Sequence, residues 1–140
     1  MSKDSHLLKI ARDCSLQSDY SGKAKVHIGC VIGYKGTILA KGWNSDKTHT
    51  EQEKNNRWRY KDSGNNYLPA KLHSEIAALQ KIKYLDIDFS KVKVYVYREY
   101  KNGRPALARP CPSCMAAIRQ LGITTIVYTT PDGVAKETLA

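Results

Sequence analysis

The stretch Ala108–Ile118, ARPCPSCMAAI, sets two cysteines three residues apart between prolines, just ahead of an apolar helical run. Amides in the first turn of a helix have no intrahelical acceptor, so Pro110 and Pro112 are tolerated there. Side chains three apart on a helix share a face, which puts the sulfurs of Cys111 and Cys114 on one side. The positive end of the helix dipole favours their thiolate forms. Two sulfurs do not complete a metal site, so other ligands must come from elsewhere in the sequence.

Upstream, LHSEIAAL (72–79) supplies an imidazole, His73, and a carboxylate, Glu75, at the start of another helical pattern. With Cys111 and Cys114, His73 makes a nitrogen-and-sulfur donor set that suits zinc. Three protein ligands leave the fourth tetrahedral position for water, the catalytic arrangement. Side chains two apart on a helix do not face each other, so His73 and Glu75 can share a site only if the metal lies beyond the helix end. Two helix N-termini are therefore expected to point at one zinc. Glu75 is expected to stay unligated and to shuttle the proton released when zinc acidifies water.

Around these motifs the elements alternate. Ser5 to about Leu16 reads as a helix, with Leu7, Leu8, Ile10, Ala11 and Cys14 at helical spacing. Val26 to Trp43 reads as a hairpin turning at Lys35-Gly36. From Asn44 to about Lys71 the pattern breaks. Ile76, Ala77, Leu79 and Ile82 then mark a helix, Lys91–Glu99 a strand, and Cys111–Leu121 a helix stopped at Gly122. Thr124–Thr129 is a further strand, and Pro131-Asp132-Gly133 turns the chain into a last one over Val134–Leu139.

Composition bounds the rest. At 140 residues, 41% hydrophobic and 26% charged, the sequence is expected to form a single domain over 1–140. No apolar run is long enough to span a membrane, and the N-terminal residues hold no secretory apolar region. Four cysteines in that context argue for thiols or metal in a reducing compartment, hence a cytoplasmic setting. Lys and Arg number 23 against 13 Asp and Glu, a net charge of +10. So basic a surface concentrates phosphorylated small molecules or polyanions, without separating a nucleotide from a nucleic acid.

H-x-E followed by P-C-x-x-C is the signature of the zinc nucleobase deaminases, and the chain resembles the cytidine deaminase superfamily along most of its length. His73-Ser74-Glu75 is similar to its HAE-type motif, with Ser in the usual Ala place, and Pro110–Cys114 to its second motif. The resemblance implies a three-layer α/β/α fold, with a mixed sheet of about five strands and helices on both faces. It also implies one zinc per chain on His73, Cys111 and Cys114, with Glu75 as proton shuttle. Gly42-Trp43-Asn44 looks like the family's GxN, whose Asn contacts base or sugar; the other reading of Asn44 is a residue turning the chain out of a strand. Two departures bear on the branch of the family. The region before the catalytic helix offers His49 but no cysteine, so a second zinc is not expected. An antiparallel strand after Gly133, in place of further helices, disfavours a transfer-RNA substrate.

By resemblance, the reaction is hydrolytic conversion of a cytosine base to uracil with release of ammonia, on a nucleoside or nucleotide. A deaminase acting on single-stranded DNA or RNA stays open, as does a non-catalytic zinc module that binds nucleic acid, and so does homo-oligomerisation. Arg57-Trp58-Arg59-Tyr60 interleaves cations with rings able to stack a base and grip a phosphate; the other reading is a solvated loop with its Trp folded back on the core. Arg98, Lys101, Arg104 and Arg109 lie in the loop leading to the cysteines and are expected to rim the pocket mouth. Cys14 and Cys30 are expected to be buried small hydrophobes, His27 a strand-face residue, and His6 exposed.

Overall fold

The hairpin turns on Lys35-Gly36, whose φ angles are 52° and 83°. Positive φ at both positions is the two-residue geometry whose twist matches that of the flanking strands. Gly36 adopts it without a Cβ clash. On either side the computed structural model, which describes residues 3–18, 27–48, 71–100 and 102–139, places β1 (Ile28–Tyr34) and β2 (Thr37–Trp43). They pair antiparallel, with a register shift between Ile32 and Gly33, opposite which β2 carries an extra residue, Leu39.

After Asn44 a short β3 (Ser45–Thr48) pairs antiparallel with β4 (Lys71–Leu72) in a small separate sheet. The main sheet is completed by β5 (Val92–Arg98), β6 (Thr125–Thr130) and β7 (Gly133–Thr138), in the order β2-β1-β5-β6-β7. Only β5 and β6 run parallel; β1 with β5 and β6 with β7 are antiparallel. A parallel neighbour cannot be reached through a tight turn. The β5–β6 connection therefore carries a helix, α3 (Pro112–Gln120), numbered after α1 (Lys3–Ser15) and α2 (Ser74–Leu79).

Alternation along the strands gives the sheet two apolar faces. Cys30, Ile32, Val94, Val96 and Ile126 pack toward α2 and α3, with Ile76, Leu79, Met115 and Ile118. Val31, Tyr95 and Val127 pack under Leu7, Leu8, Ala11 and Cys14 of α1. Those four α1 positions form the stripe that the sequence spacing predicts. Each fully buried aliphatic side chain contributes about 1.5–3 kcal/mol to this sandwich. The result is the expected three-layer α/β/α arrangement around a five-stranded mixed sheet.

Two local differences from the sequence expectation stand out. α2 ends at Leu79, and Ile82 is buried on a tighter turn, its N–H reaching Leu79 O at 3.1 Å. Bonds spanning three residues tighten the helix end there and satisfy its last carbonyls. The segment after β5 is strapped to the sheet. The buried Thr129 hydroxyl donates to Ala106 O (2.7 Å) and accepts from Arg98 N–H (3.1 Å), while Ala108 N–H reaches Thr129 O (2.9 Å). This strap delivers Cys111 to the carboxyl end of the parallel pair. Among the described residues no helix is long and apolar enough to cross a membrane.

Candidate metal centre and active site

His73 is the N-cap residue of α2 and Cys111 that of α3, both with extended backbone. Each carbonyl accepts the first intrahelical bond, from Ala77 N–H at 2.9 Å and from Met115 N–H at 2.8 Å. Leaving the helical path at the cap carries each side chain past its helix end. Cys114 follows in the first turn of α3, after Pro112, and Glu75 lies in the first turn of α2. α2 lies hard against β2: a Cβ on Gly42 would sit 2.4 Å from Ser74 O and 2.7 Å from Ala78 N. Glycine at that position lets the helix end settle where His73 reaches the sulfurs.

A tetrahedral zinc, with bonds of about 2.0–2.1 Å to nitrogen and 2.3 Å to sulfur, spaces its N and S ligands about 3.6 Å apart. His73 Nδ1 lies 3.5 Å from Cys111 Sγ and 3.3 Å from Cys114 Sγ. Donor chemistry and spacing thus fit zinc. Among the described residues no further His, Cys, Asp or Glu joins this cluster. The hydrogen bond from Cys114, against the penalty of burial, holds the Cys111 thiol well below its ordinary pKa, helped by His73 and the Ser113 hydroxyl at 3.1 Å. Burial, then the neighbouring thiolate, pushes Cys114 up.

Glu75 is 5% exposed. Burial raises its carboxyl pKa, as does the Cys111 thiolate, while His73 and the hydroxyl donated by Ser74 to Oε1 pull it back. Cys30 lies in the same core and is fully buried, its thiol raised by burial and by the charge of Glu75.

Asn44 is 7% exposed and joins three elements. Its Oδ1 accepts from Ile28 N–H (2.9 Å) and from the Ser18 hydroxyl (2.6 Å), and its own N–H donates to Ile28 O (3.2 Å). Its observed work is to tie the end of β2 to the start of β1. Arg109 forks onto Glu137 of β7, Nε to Oε2 and Nη2 to Oε1 at 3.0 Å each. Arg98 donates to Leu107 O at 3.4 Å. Arg57, Trp58, Arg59 and Tyr60 lie outside the described residues, as do His49 and Lys101. His6 and His27 are exposed, and Cys14 and Cys30 are buried. Ser74, which the sequence marked only as standing in the usual Ala place, and Ser113 are both buried and both inside the two motifs. A hydroxyl one residue from the carboxylate and another between the sulfurs was the available signal.

Two motifs distant in sequence, joined over one end of such a sandwich, place the chain in the class of zinc-dependent deaminases. More narrowly, it belongs to the family described as the cytidine and deoxycytidylate deaminase zinc-binding region, whose profile matches residues 1–130. Among solved structures it is similar to cytidine deaminase from Burkholderia pseudomallei, with 15% identity, a TM-score of 0.63, and coverage of 96% of this chain and 91% of that one. It is also similar to dCMP deaminase from the cyanophage S-TIM5, with 23% identity, a TM-score of 0.60, and coverage of 89% and 80%. Guanine deaminase from Bacillus subtilis follows with 21% identity, a TM-score of 0.52, and coverage of 90% and 63%. At these identities the likeness is one of fold. No curated protein was found to match the chain.

Proposed function

We propose that the protein deaminates the cytosine base of a nucleoside or nucleotide, giving uracil and ammonia, with one zinc per chain. The observation that carries this reading is the buried Glu75 carboxylate beside the His73, Cys111 and Cys114 donors. Zinc, when bound, supplies a Lewis acid that makes water acidic near neutral pH. Glu75 takes the proton that water gives up and delivers it to ring nitrogen N3. It then takes the second proton from the newly attached hydroxyl and passes it to the 4-amino nitrogen, which leaves as ammonia. Burial excludes bulk solvent from that carboxylate, so the protons move between Glu75 and the substrate.

The choice of a pyrimidine nucleotide draws support from the family description and from the cyanophage dCMP deaminase, which has been seen in complex with dCMP and dUMP. In this reading Asn44 and the Arg57-Trp58-Arg59 segment contact base, sugar or phosphate. Arg109 acts at the pocket mouth from its pairing with Glu137. The setting is cytoplasmic, where thiol ligands stay reduced. The net charge of +10 suits a nucleotide and a polynucleotide alike, and keeps single-stranded nucleic acid as the second reading.

Metal analysis beside a deamination panel tests both. The panel holds cytidine, deoxycytidine, their monophosphates, guanine, adenosine and single-stranded oligonucleotides. Glu75→Gln is expected to retain zinc and to lose turnover by about 10²- to 10⁴-fold, the usual worth of a general acid–base. Turnover within a few-fold of the parent protein would remove Glu75 from the mechanism. Steep loss of oligonucleotide binding with rising salt would mark the polynucleotide reading.

A further inference from the structure

Serines occupy matched places in the two motifs. Ser74 follows His73 at the start of α2, and Ser113 stands between Cys111 and Cys114 in the first turn of α3. Both are fully buried, so their hydroxyls must find partners inside the protein. The partners differ in kind. Ser74 donates to Oε1 of Glu75, whereas the Ser113 oxygen lies 3.1 Å from the Cys111 sulfur. Residues two apart do not face each other along a helix. Ser113 meets Cys111 because the cap residue has left the helical path, with φ −68° and ψ 167°. An oxygen-bearing cap residue would accept from the free amides of the first turn. Cys111 makes no side-chain bond of that kind, and its sulfur stays turned toward His73, Cys114 and Ser113.

The two sulfurs are thereby made unequal. Cys114 is fully buried in the core under α2 and α3, and among the described residues its sulfur hydrogen-bonds only with its fellow ligands, His73 and Cys111. A metal-bound thiolate has no proton to give, so in the zinc-loaded protein the Ser113 hydroxyl is the donor. Hydrogen bonds to an ionised acceptor are the strong kind. Such a bond draws electron density from one sulfur, which then gives less to the ion and leaves it a better Lewis acid. We infer that Ser113 is a positioning residue for the metal centre: its hydroxyl holds the Cys111 thiolate in place and tempers its charge, while Cys114 keeps its full donor strength. This role rests on the zinc reading of His73, Cys111 and Cys114, and not on which base or sugar the protein takes.

Cobalt(II) in place of zinc gives a thiolate site a sulfur-to-metal charge-transfer band in the near ultraviolet, and competition with a chelator measures zinc affinity. Ser113→Ala and Ser74→Ala each remove one buried oxygen and leave the apolar cores filled. Ser113→Ala is expected to move the band to longer wavelength, because a thiolate without its donor gives up electrons more readily, and to weaken zinc binding by about tenfold. Ser74→Ala removes an equally buried hydroxyl that faces Glu75, and is expected to leave the band in place and zinc affinity within about twofold. Ser113→Thr keeps the donor and should keep the parent band, whatever its added methyl costs in Tm. An unmoved band in Ser113→Ala, equal shifts in the two alanine variants, or a shift in Ser113→Thr as large as in Ser113→Ala would overturn the role of Ser113. Absence of the band from the cobalt-loaded parent protein would remove the zinc–thiolate site itself, and the role of Ser113 with it.

Discussion

Gly42→Ala tests how the sheet sets the metal centre. The added methyl would lie 2.4 Å from Ser74 O and 2.7 Å from Ala78 N, where real Cβ contacts stay above 3.0 Å. Both atoms are backbone, so α2 must withdraw from β2 by at least ~0.6 Å on the overlap given by the same contacts. Overpacking of this kind costs about 1–3 kcal/mol. For a chain of this size that lowers Tm by about 4–12 °C. The same withdrawal moves His73, which caps α2, while Cys111 and Cys114 stay with α3. Sites tolerate displacements of about 0.5 Å, so zinc affinity should fall by roughly tenfold. Gly29→Ala is the control. Its methyl would meet Ala11 O at 1.9 Å, on the α1 face. It should lower Tm at least as far and leave zinc affinity within about twofold. Thermal melts and competition with a chromogenic chelator read the two effects. Equal zinc affinity in Gly42→Ala and the parent protein, or equal losses in both variants, would refute the link from β2 through α2 to the ligand.

Thiol reactivity separates the four cysteines. Zinc-free protein at mildly acidic pH should show a single fast-reacting thiol, Cys111, which is partly exposed and favours the thiolate. Cys14 and Cys30 are buried with raised pKa values and should react only on unfolding. Zinc should suppress the fast phase and Cys111→Ser should abolish it; fast labelling of Cys30 in folded protein would contradict the core placement. Acid stability isolates Asp4, whose carboxyl is held below its usual pKa chiefly by the Tyr95 hydroxyl, against partial burial, with Lys93 and Lys136 adding to it. A folded pKa below the unfolded one gives stability that is present above about pH 4 and lost as pH falls through the folded value. Asp4→Asn should therefore lower stability at pH 7 by about 1 kcal/mol in urea melts. The gap to the parent protein should close toward about pH 3, and a gap constant with pH would show that the charge is not its source.

The parts of the fold that local chemistry dictates were legible. Lys35-Gly36 announced a hairpin, the period-two run through Val92–Arg98 a strand, and Pro-Cys-Pro the start of a helix. The site was legible because its ligands sit in motifs whose spacing only makes sense at helix ends. Long-range pairing was not. Nothing local to Arg109 announces Glu137, which lies 28 residues on and reaches it only because β7 folds back beside β6. Asn44 read equally as turn or contact residue, because its partners, Ser18 and Ile28, lie 26 and 16 residues away. The helix over Ile76–Ile82 read as longer than α2 because Ile82 keeps its apolar place on a tighter turn.

The two caps that carry His73 and Cys111 stand on helices anchored by Ile76, Leu79, Met115 and Ile118, so their foundation is oil-like contact and not the ion. Protein prepared from zinc-starved cells should consequently emerge soluble, cooperative in its melting and enzymatically silent. Adding back metal would then wake it within the time of mixing, with no refolding delay. A purity gel or a circular dichroism trace would therefore not distinguish a working batch from a dormant one.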